Sequence, residues 1–284
     1  MSKKYQIAGK IFEISGEELL RGVACIEGFK AFEVQSGDAS FGYVEGNSED
    51  IPEIEQVLYT FEYEDVNGTF GRTDAGFALV LKPAEESTLT LWVSIGNPDE
   101  CFVQGNWSAR LLRFAMWIGF GLMMLKHDTL AIHSSCIVYR DKAVLFLGES
   151  GTGKSTHTRL WREHIEGAML LNDDSPMIRV EDGKVWAYGS AWSGKTPCYK
   201  NERYELKACV RLSQAPYNKI QKLPVLQAYG AIHPSCAPEF AYDDKLYDEV
   251  SRIIGKILSV VPFYHLACLP NEEACLLSCK IIFE

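Results

Sequence analysis

Over the first hundred residues apolar and polar positions tend to alternate in short runs, and a period of two predicts strands. Runs at residues 5–14, 29–34, 57–63, 77–82 and 89–95 are rich in β-branched and aromatic side chains. Such residues suit a pleated sheet with one buried face. Asn67-Gly68 and Lys82-Pro83 supply turn chemistry between them. A short helix is predicted to begin at Ser15, with Glu18 closing a capping box. The loop at residues 96–99, Gly-Asn-Pro-Asp, marks a boundary, giving a β-rich N-terminal domain over residues 1–105 and a second domain over 106–284. Nothing in residues 1–105 forms a catalytic constellation, and their role stays open.

Beyond the boundary the pattern changes. Residues 108–125 form one strongly apolar helical run, expected to pack the first half of the chain against the second. Its most hydrophobic part, 114–125, is too short to span a bilayer and is bounded by Arg113 and Lys126. Two strand-like runs, 134–139 and 143–147, are joined only by Arg140-Asp141-Lys142. So short a connection makes an antiparallel hairpin, because a parallel crossover needs about a dozen residues or more. A helix is predicted over 155–166, with Gly167 just past its end, and an apolar run at 168–171 leads into Asn172-Asp173-Asp174. Runs at 177–180 and 184–188 flank the hairpin sequence Glu181-Asp182-Gly183. A strand at 206–212, a helix at 245–261 stopped by Pro262, a strand at 263–269 and a helix from Asn271 complete the chain. Strands and helices interleaved with hairpins predict an α/β chain with a mixed sheet.

One stretch carries chemistry. Gly148-Glu149-Ser150-Gly151-Thr152-Gly153-Lys154-Ser155 fills the template G-x-x-x-x-G-K-[ST] without a gap, and Thr156 follows it. Glycines let consecutive backbone N–H groups turn into one anion-binding hollow. Lys154 would add a full positive charge near the outer phosphates, and the Ser155 hydroxyl suits Mg²⁺. The apolar run before the loop and the helix after it are the context the motif requires, and the helix dipole faces the same anion. The ligand implied is a nucleoside triphosphate, ATP with Mg²⁺.

Composition narrows the remaining classes. The chain has 284 residues, 47% of them hydrophobic, which is enough for a real core. A net charge of −10 argues against a general nucleic-acid binder, which wants a basic face. The first twenty residues contain two early lysines but no apolar signal core. A soluble, cytoplasmic chain with no membrane partner is the expectation, and the oligomeric state is not legible. Nine cysteines, with no C-x-x-C pair, fit reduced thiols. His265, Cys268, Cys275 and Cys279 admit a zinc reading, but the last two sit four apart on an apolar helical stripe, where buried free thiols are commoner.

Phosphoryl transfer asks for one more group, to orient or deprotonate the acceptor. Asp173 and Asp174 are the candidates, because the strand after the loop's helix returns beside the loop. Adjacent strand residues point to opposite faces, so one carboxylate is expected to aim at the γ-phosphate, with the pair dividing Mg²⁺ and the acceptor hydroxyl between them. A structural turn, Asp-Asp-Ser-Pro, is the other reading of the same residues. His133 before its strand, and Lys195 in the Trp-Ser-Gly-Lys loop, each admit a phosphate-side role or an ordinary structural or surface one.

The segment from about residue 133 to 212 resembles the catalytic domain of HPr kinase/phosphorylase and its shorter HPr-kinase-like relatives. That fold is shared with the ATP-type phosphoenolpyruvate carboxykinases. The features that carry the resemblance are Ile132-His133 at a strand start, the hairpin into the glycine loop, Leu170-Leu-Asn-Asp173-Asp174, and the Trp192-Ser-Gly-Lys195 loop. The resemblance implies an HPr kinase/carboxykinase-like P-loop domain, Asp173 or Asp174 as catalytic carboxylate, and His133 near the phosphates. It implies an ATP-dependent kinase whose acceptor is serine, free or in a peptide or protein. Thr156 stands where the family usually has Glu, and the later signature that supports phosphate removal is missing, so kinase activity alone is carried over. Carboxykinase activity is not expected in a chain of this length. The rival from another class is a nucleotide-binding regulatory or accessory protein that does not turn over.

Overall fold

The computed structural model describes residues 1–47, 51–63, 65–85, 88–94, 99–105, 108–194 and 196–284. The chain is mixed α/β and divides into two compact units, Met1–His127 with Pro238–Tyr247, and Asp128–Ala237 with Asp248–Glu284. Residues 96–98 of the loop read as a boundary lie outside the described residues.

The first unit is built on a sheet of nine strands among the described residues. It runs from Glu33–Val34 through Ser2–Ile7, Lys10–Ser15, Phe41–Glu45, Glu100–Gly105, Leu89–Ser94, Gly76–Pro83 and Val66–Arg72 to Gln56–Tyr63. Phe41–Glu45 is parallel to both its neighbours, and the other pairs are antiparallel. The helix Ala109–Met124 lies close on this sheet. A Cβ at its Gly119 would come 3.0 Å from both Cys101 Sγ and Leu91 Cδ1, and Tyr43 Oη donates 2.7 Å to the Met116 carbonyl.

Several local expectations for this unit fail for identifiable reasons. The run 5–14 is two strands folded at Ala8-Gly9, both with positive φ. Residues 29–34 are mostly a 3₁₀ turn, Glu27–Phe32, with only Glu33–Val34 extended. The helix Glu17–Ala24 has no side-chain cap at its own start. Glu45, from a distant strand, accepts from Glu18 N at 3.0 Å and Leu19 N at 3.1 Å instead. Asn67-Gly68 is not a turn but lies within the strand Val66–Arg72. Gly68 stands opposite Phe61, whose ring occupies the space a Cβ would need, 2.0 Å away.

In the second unit the hairpin reading holds. Ser134–Tyr139 and Lys142–Leu147 are antiparallel, with Arg140 and Asp141 in left-handed conformations at the tip. The sheet order is Thr129–Ala131, Met177–Glu181, Lys184–Tyr188, Arg203–Gln214, Lys142–Leu147, Ser134–Tyr139 and Met169–Asp174. Phe263–Cys268 pairs parallel with the end of Arg203–Gln214 and antiparallel with Lys219–Lys222. The strand that leads into the glycine loop therefore has an antiparallel partner on one side and a parallel one on the other. The helices Lys154–His164 and Glu272–Phe283 cover this sheet with Leu160, Trp161, Cys275 and Ile282, which pack on Phe146, Val210 and Leu266.

Polar groups sit beside that core too. His157 is buried, and its Nε2 meets Trp161 Nε1 at 3.2 Å and Ser278 Oγ at 3.2 Å. The indole N–H can only donate, so the ring must stay neutral to accept from it. Burial pushes the His157 pKa down from 6.5 to about 4. In this window the unfolded chain binds the proton and the folded chain does not, so stability falls as pH drops from about 6.5 towards 4. Acidification across that range is expected to cost about 3 kcal/mol through this group alone. Denaturant titrations between pH 7 and 4 on the wild type and His157→Gln check it: the variant should show a flatter pH dependence by that amount. Parallel curves would remove His157 as the cause.

Two of the four groups of the zinc reading are otherwise engaged. His265 Nε2 contacts Ser213 Oγ at 2.8 Å, and the Cys275 thiol points at the Leu160 carbonyl at 3.7 Å. Among the described residues no three His, Cys, Asp or Glu side chains gather into a metal-holding group, and all nine cysteines are free thiols. No helix among them is long and apolar enough to cross a membrane.

Candidate active site

Lys142–Leu147 ends in the glycine loop, and the helix Lys154–His164 starts directly from it. Gly148, Gly151 and Gly153 all have positive φ. The left-handed turns are what glycine allows. Beside Gly151 and Gly153 a Cβ would find nothing within 4 Å, so the loop faces open space. Thr152 Oγ1 closes the loop by donating 2.8 Å to the Glu149 carbonyl. The Glu149 side chain itself is largely exposed, 3.8 Å from Arg211.

Over the loop lies a cleft of about 360 Å³, bounded by His133, Lys154, Ser155, Asp173, Asp174 and Gly194 together with Ser134, Ser150 and Thr156. Lys154 Nζ bonds the Gly148 carbonyl at 2.8 Å, the Glu149 carbonyl at 3.2 Å and His133 Nε2 at 3.1 Å. An ammonium only donates, so His133 Nε2 accepts and the ring proton sits on Nδ1. Nδ1 lies 3.0 Å from Asp174 Oδ1 and donates to it. Ser155 Oγ donates 2.9 Å to Asp173 Oδ1. Burial lowers the Lys154 pKa, and the opposing charges of Asp174 and Asp173 pull it back up.

The expectation that the two carboxylates leave on opposite faces is not met: both border the same cleft. Asp174 abandons the extended conformation, with φ of 147°, a region that side chains other than glycine rarely occupy. Opposite it, Ser193 forms an isolated bridge with Asp174, and Gly194 N donates to the Asp173 carbonyl. Gly194 must be bare to approach this closely, since a Cβ would lie 2.8 Å from the Asp173 carbonyl oxygen and 3.2 Å from Asp174 Cβ.

The turn is anchored from behind by Asn172, which is fully buried. Its Nδ2 donates 3.1 Å to the Trp192 carbonyl, and its Oδ1 accepts from Ser175 N at 2.8 Å. Ser190 Oγ donates 2.6 Å to the Ser175 carbonyl. Sequence reasoning singled out the loop that carries Gly194 but passed over Asn172 and Ser190 as site-building residues. The signal was the polar Asn172 closing an apolar strand, since a buried amide has to find partners. Lys195 lies outside the described residues.

No protein-family model matches the chain, and no curated protein matches it. Among solved structures, that of the Hpr(Ser) kinase/phosphatase from Coxiella burnetii is similar, with a TM-score of 0.31 and 12% sequence identity. The match covers 54% of this chain and 93% of that one. A likeness of that extent says nothing about activity or substrate.

Proposed function

We propose that the chain is an ATP- and Mg²⁺-dependent kinase with an HPr-kinase-like P-loop domain, which transfers the γ-phosphate to a hydroxyl, that of serine, free or in a peptide or protein. The observation that carries this reading is the convergence in one cleft of the P-loop lysine and serine with two carboxylates and a histidine, Asp174 and His133 being 3.0 Å apart. A loop that only held nucleotide would need Lys154 and Ser155 but no accessible carboxylate steered by a histidine.

The parts take distinct roles. Lys154 and the N–H groups of the glycine loop bind and orient the phosphates. Ser155 and Asp173 offer hard oxygen donors 2.9 Å apart, the donor type magnesium takes. Bound there, Mg²⁺ would offset charge on the β- and γ-oxygens. Asp173 is buried, whereas the Asp174 side chain is 34% exposed, so Asp174 is the carboxylate an incoming hydroxyl can reach. It takes the acceptor's proton as the acceptor oxygen bonds to the γ-phosphorus and the bond to the bridging oxygen breaks, releasing ADP. His133 holds Asp174 in place through Nδ1.

The test is ADP release and phosphate transfer from Mg-ATP with free serine, with serine-containing peptides, and with the same peptides carrying alanine. Serine should stimulate ADP release and emerge phosphorylated, alone or within a peptide. ATP binding without turnover on any hydroxyl acceptor would replace this reading with a non-catalytic nucleotide-binding one.

A further inference from the structure

The sheet of the first unit ends in an open edge. Gln56–Tyr63, eight residues long, pairs with Val66–Arg72 on one side, and no described strand pairs with its other side. Proteins usually keep an edge strand short or blunt it with lysine or proline, because its bare N–H and C=O groups invite another strand. This one carries Val57, Leu58, Tyr59, Thr60 and Phe61 in a row and contains neither lysine nor proline. A register shift separates Val57 from Tyr59, and from Tyr59 onward the pairing is regular.

Beside the edge runs a line of aromatic rings. Tyr242, which belongs to the same unit, stacks on Tyr59 with centroids 4.7 Å apart. Tyr59 meets Phe61 at 5.8 Å, and Phe61 meets Phe114 of the helix Ala109–Met124 at 5.7 Å. Tyr242 is exposed and the other three are half-buried, so the rings present an apolar strip next to the unpaired backbone. Thr60 and Glu62 alternate with Tyr59 and Phe61, and both are exposed.

Charge selects the occupant. Exposed carboxylates stand at both ends of the edge, Glu53 and Glu55 just before the strand and Glu62 near its end. The neighbouring guanidiniums are already paired, Arg72 with Asp243 and Arg110 with Asp65. Lys82, in register with Glu62 through Asn67, lies two strands inward. The edge is therefore acidic. An antiparallel second copy would bring the Glu62 end of one strand beside the Glu55 end of the other, like charge on like charge. A basic strand meets the opposite sign at both ends, and its cations can also lie over the tyrosine rings.

We infer that Gln56–Tyr63 is a docking edge for an extended, basic peptide segment that adds to the sheet as a further strand. Its apolar side chains lie on the rings of Tyr242, Tyr59 and Phe61, and its lysines or arginines meet Glu55 and Glu62. Main-chain hydrogen bonds supply affinity in such an addition, and the alternate side chains supply selectivity. The inference is independent of the kinase reading, since every residue it uses belongs to the first unit.

The probe is a dye-labelled peptide of alternating valine and lysine, eight residues long to match the strand. Two controls go with it: the same peptide with glutamate for lysine, and one with proline for two of its valines, which keeps the charge but cannot join a ladder. Fluorescence anisotropy on the full chain should show binding of the valine–lysine peptide alone, weakening as salt is raised. Amide exchange should slow within residues 56–63 when it binds. Glu62→Lys replaces an exposed attraction with a repulsion and should weaken binding ~5-fold. Tyr242→Ala, at another exposed side chain, should act in the same direction. No binding by the wild type, or equal binding of the proline or glutamate peptide, overturns the inference. So does binding that neither variant alters. A dimer in sedimentation that Thr60→Lys dissolves would give the edge to a second copy and overturn it too.

Discussion

Lys154→Ala is expected to weaken nucleotide binding on the order of a hundredfold while melting close to the wild type. Hydrogen bonds to a charged group contribute about 1.5–3 kcal/mol each, and every ~1.4 kcal/mol is tenfold in affinity. A lysine that meets two phosphate oxygens therefore accounts for a loss of that size. The fold should tolerate the change because, among the described residues, the ammonium bonds just two loop carbonyls and His133 Nε2, at the edge of an open cleft. Burial already disfavours its charge, so removing it costs the folded state little. Calorimetric titration with Mg-ATP and a melting curve settle the matter. A variant that binds and turns over ATP normally would remove the phosphate-binding role of this loop.

What was legible in the sequence, and what was not, divides by range. The glycine loop, the strand before it and the helix after it depend on neighbours in the chain, and they fall where the motif placed them. The hairpin at Arg140-Asp141 was legible for the same reason, since three residues leave the chain no other route. Glu45 capping the helix Glu17–Ala24, and Phe61 claiming the space beside Gly68, are contacts between segments far apart. Local signals at Ser15 and at Asn67-Gly68 pointed elsewhere, and tertiary contact overrode them. The site shows the same split. Asp173 and Asp174 could be found by their position after an apolar strand, but their shared orientation could not. It depends on the positive φ of Asp174 and on a bare Gly194 pressed against that strand end. An extended strand would have turned one carboxylate away.

That shared orientation makes the two carboxylates separable by experiment, and the largest catalytic effect is expected at Asp174. Asp→Asn keeps the shape and one accepting oxygen but removes the charge. At Asp174 the amide oxygen can still accept from His133 Nδ1, so the side chain stays in place and only the ability to take a proton is lost. Loss of a positioned base typically costs ~10²–10⁴ in rate. Asp174→Asn should therefore lose transfer by that factor while binding Mg-ATP with nearly wild-type affinity and an unchanged Mg²⁺ requirement. Asp173 differs because it is buried and accepts from the Ser155 hydroxyl, at the end of the glycine loop. Its replacement should raise the Mg²⁺ concentration needed for half-maximal transfer, with much of the rate recovered at saturating metal. Nucleotide affinity, Mg²⁺ titration and phosphotransfer to a verified acceptor have to be measured on both variants, with melting curves to exclude unfolding. A reversed pattern, with the metal requirement moving at Asp174 and the rate at Asp173, would exchange the two roles. Near-normal transfer by both would reduce the Asp-Asp turn to a structural element, and the proposed transfer mechanism would fail.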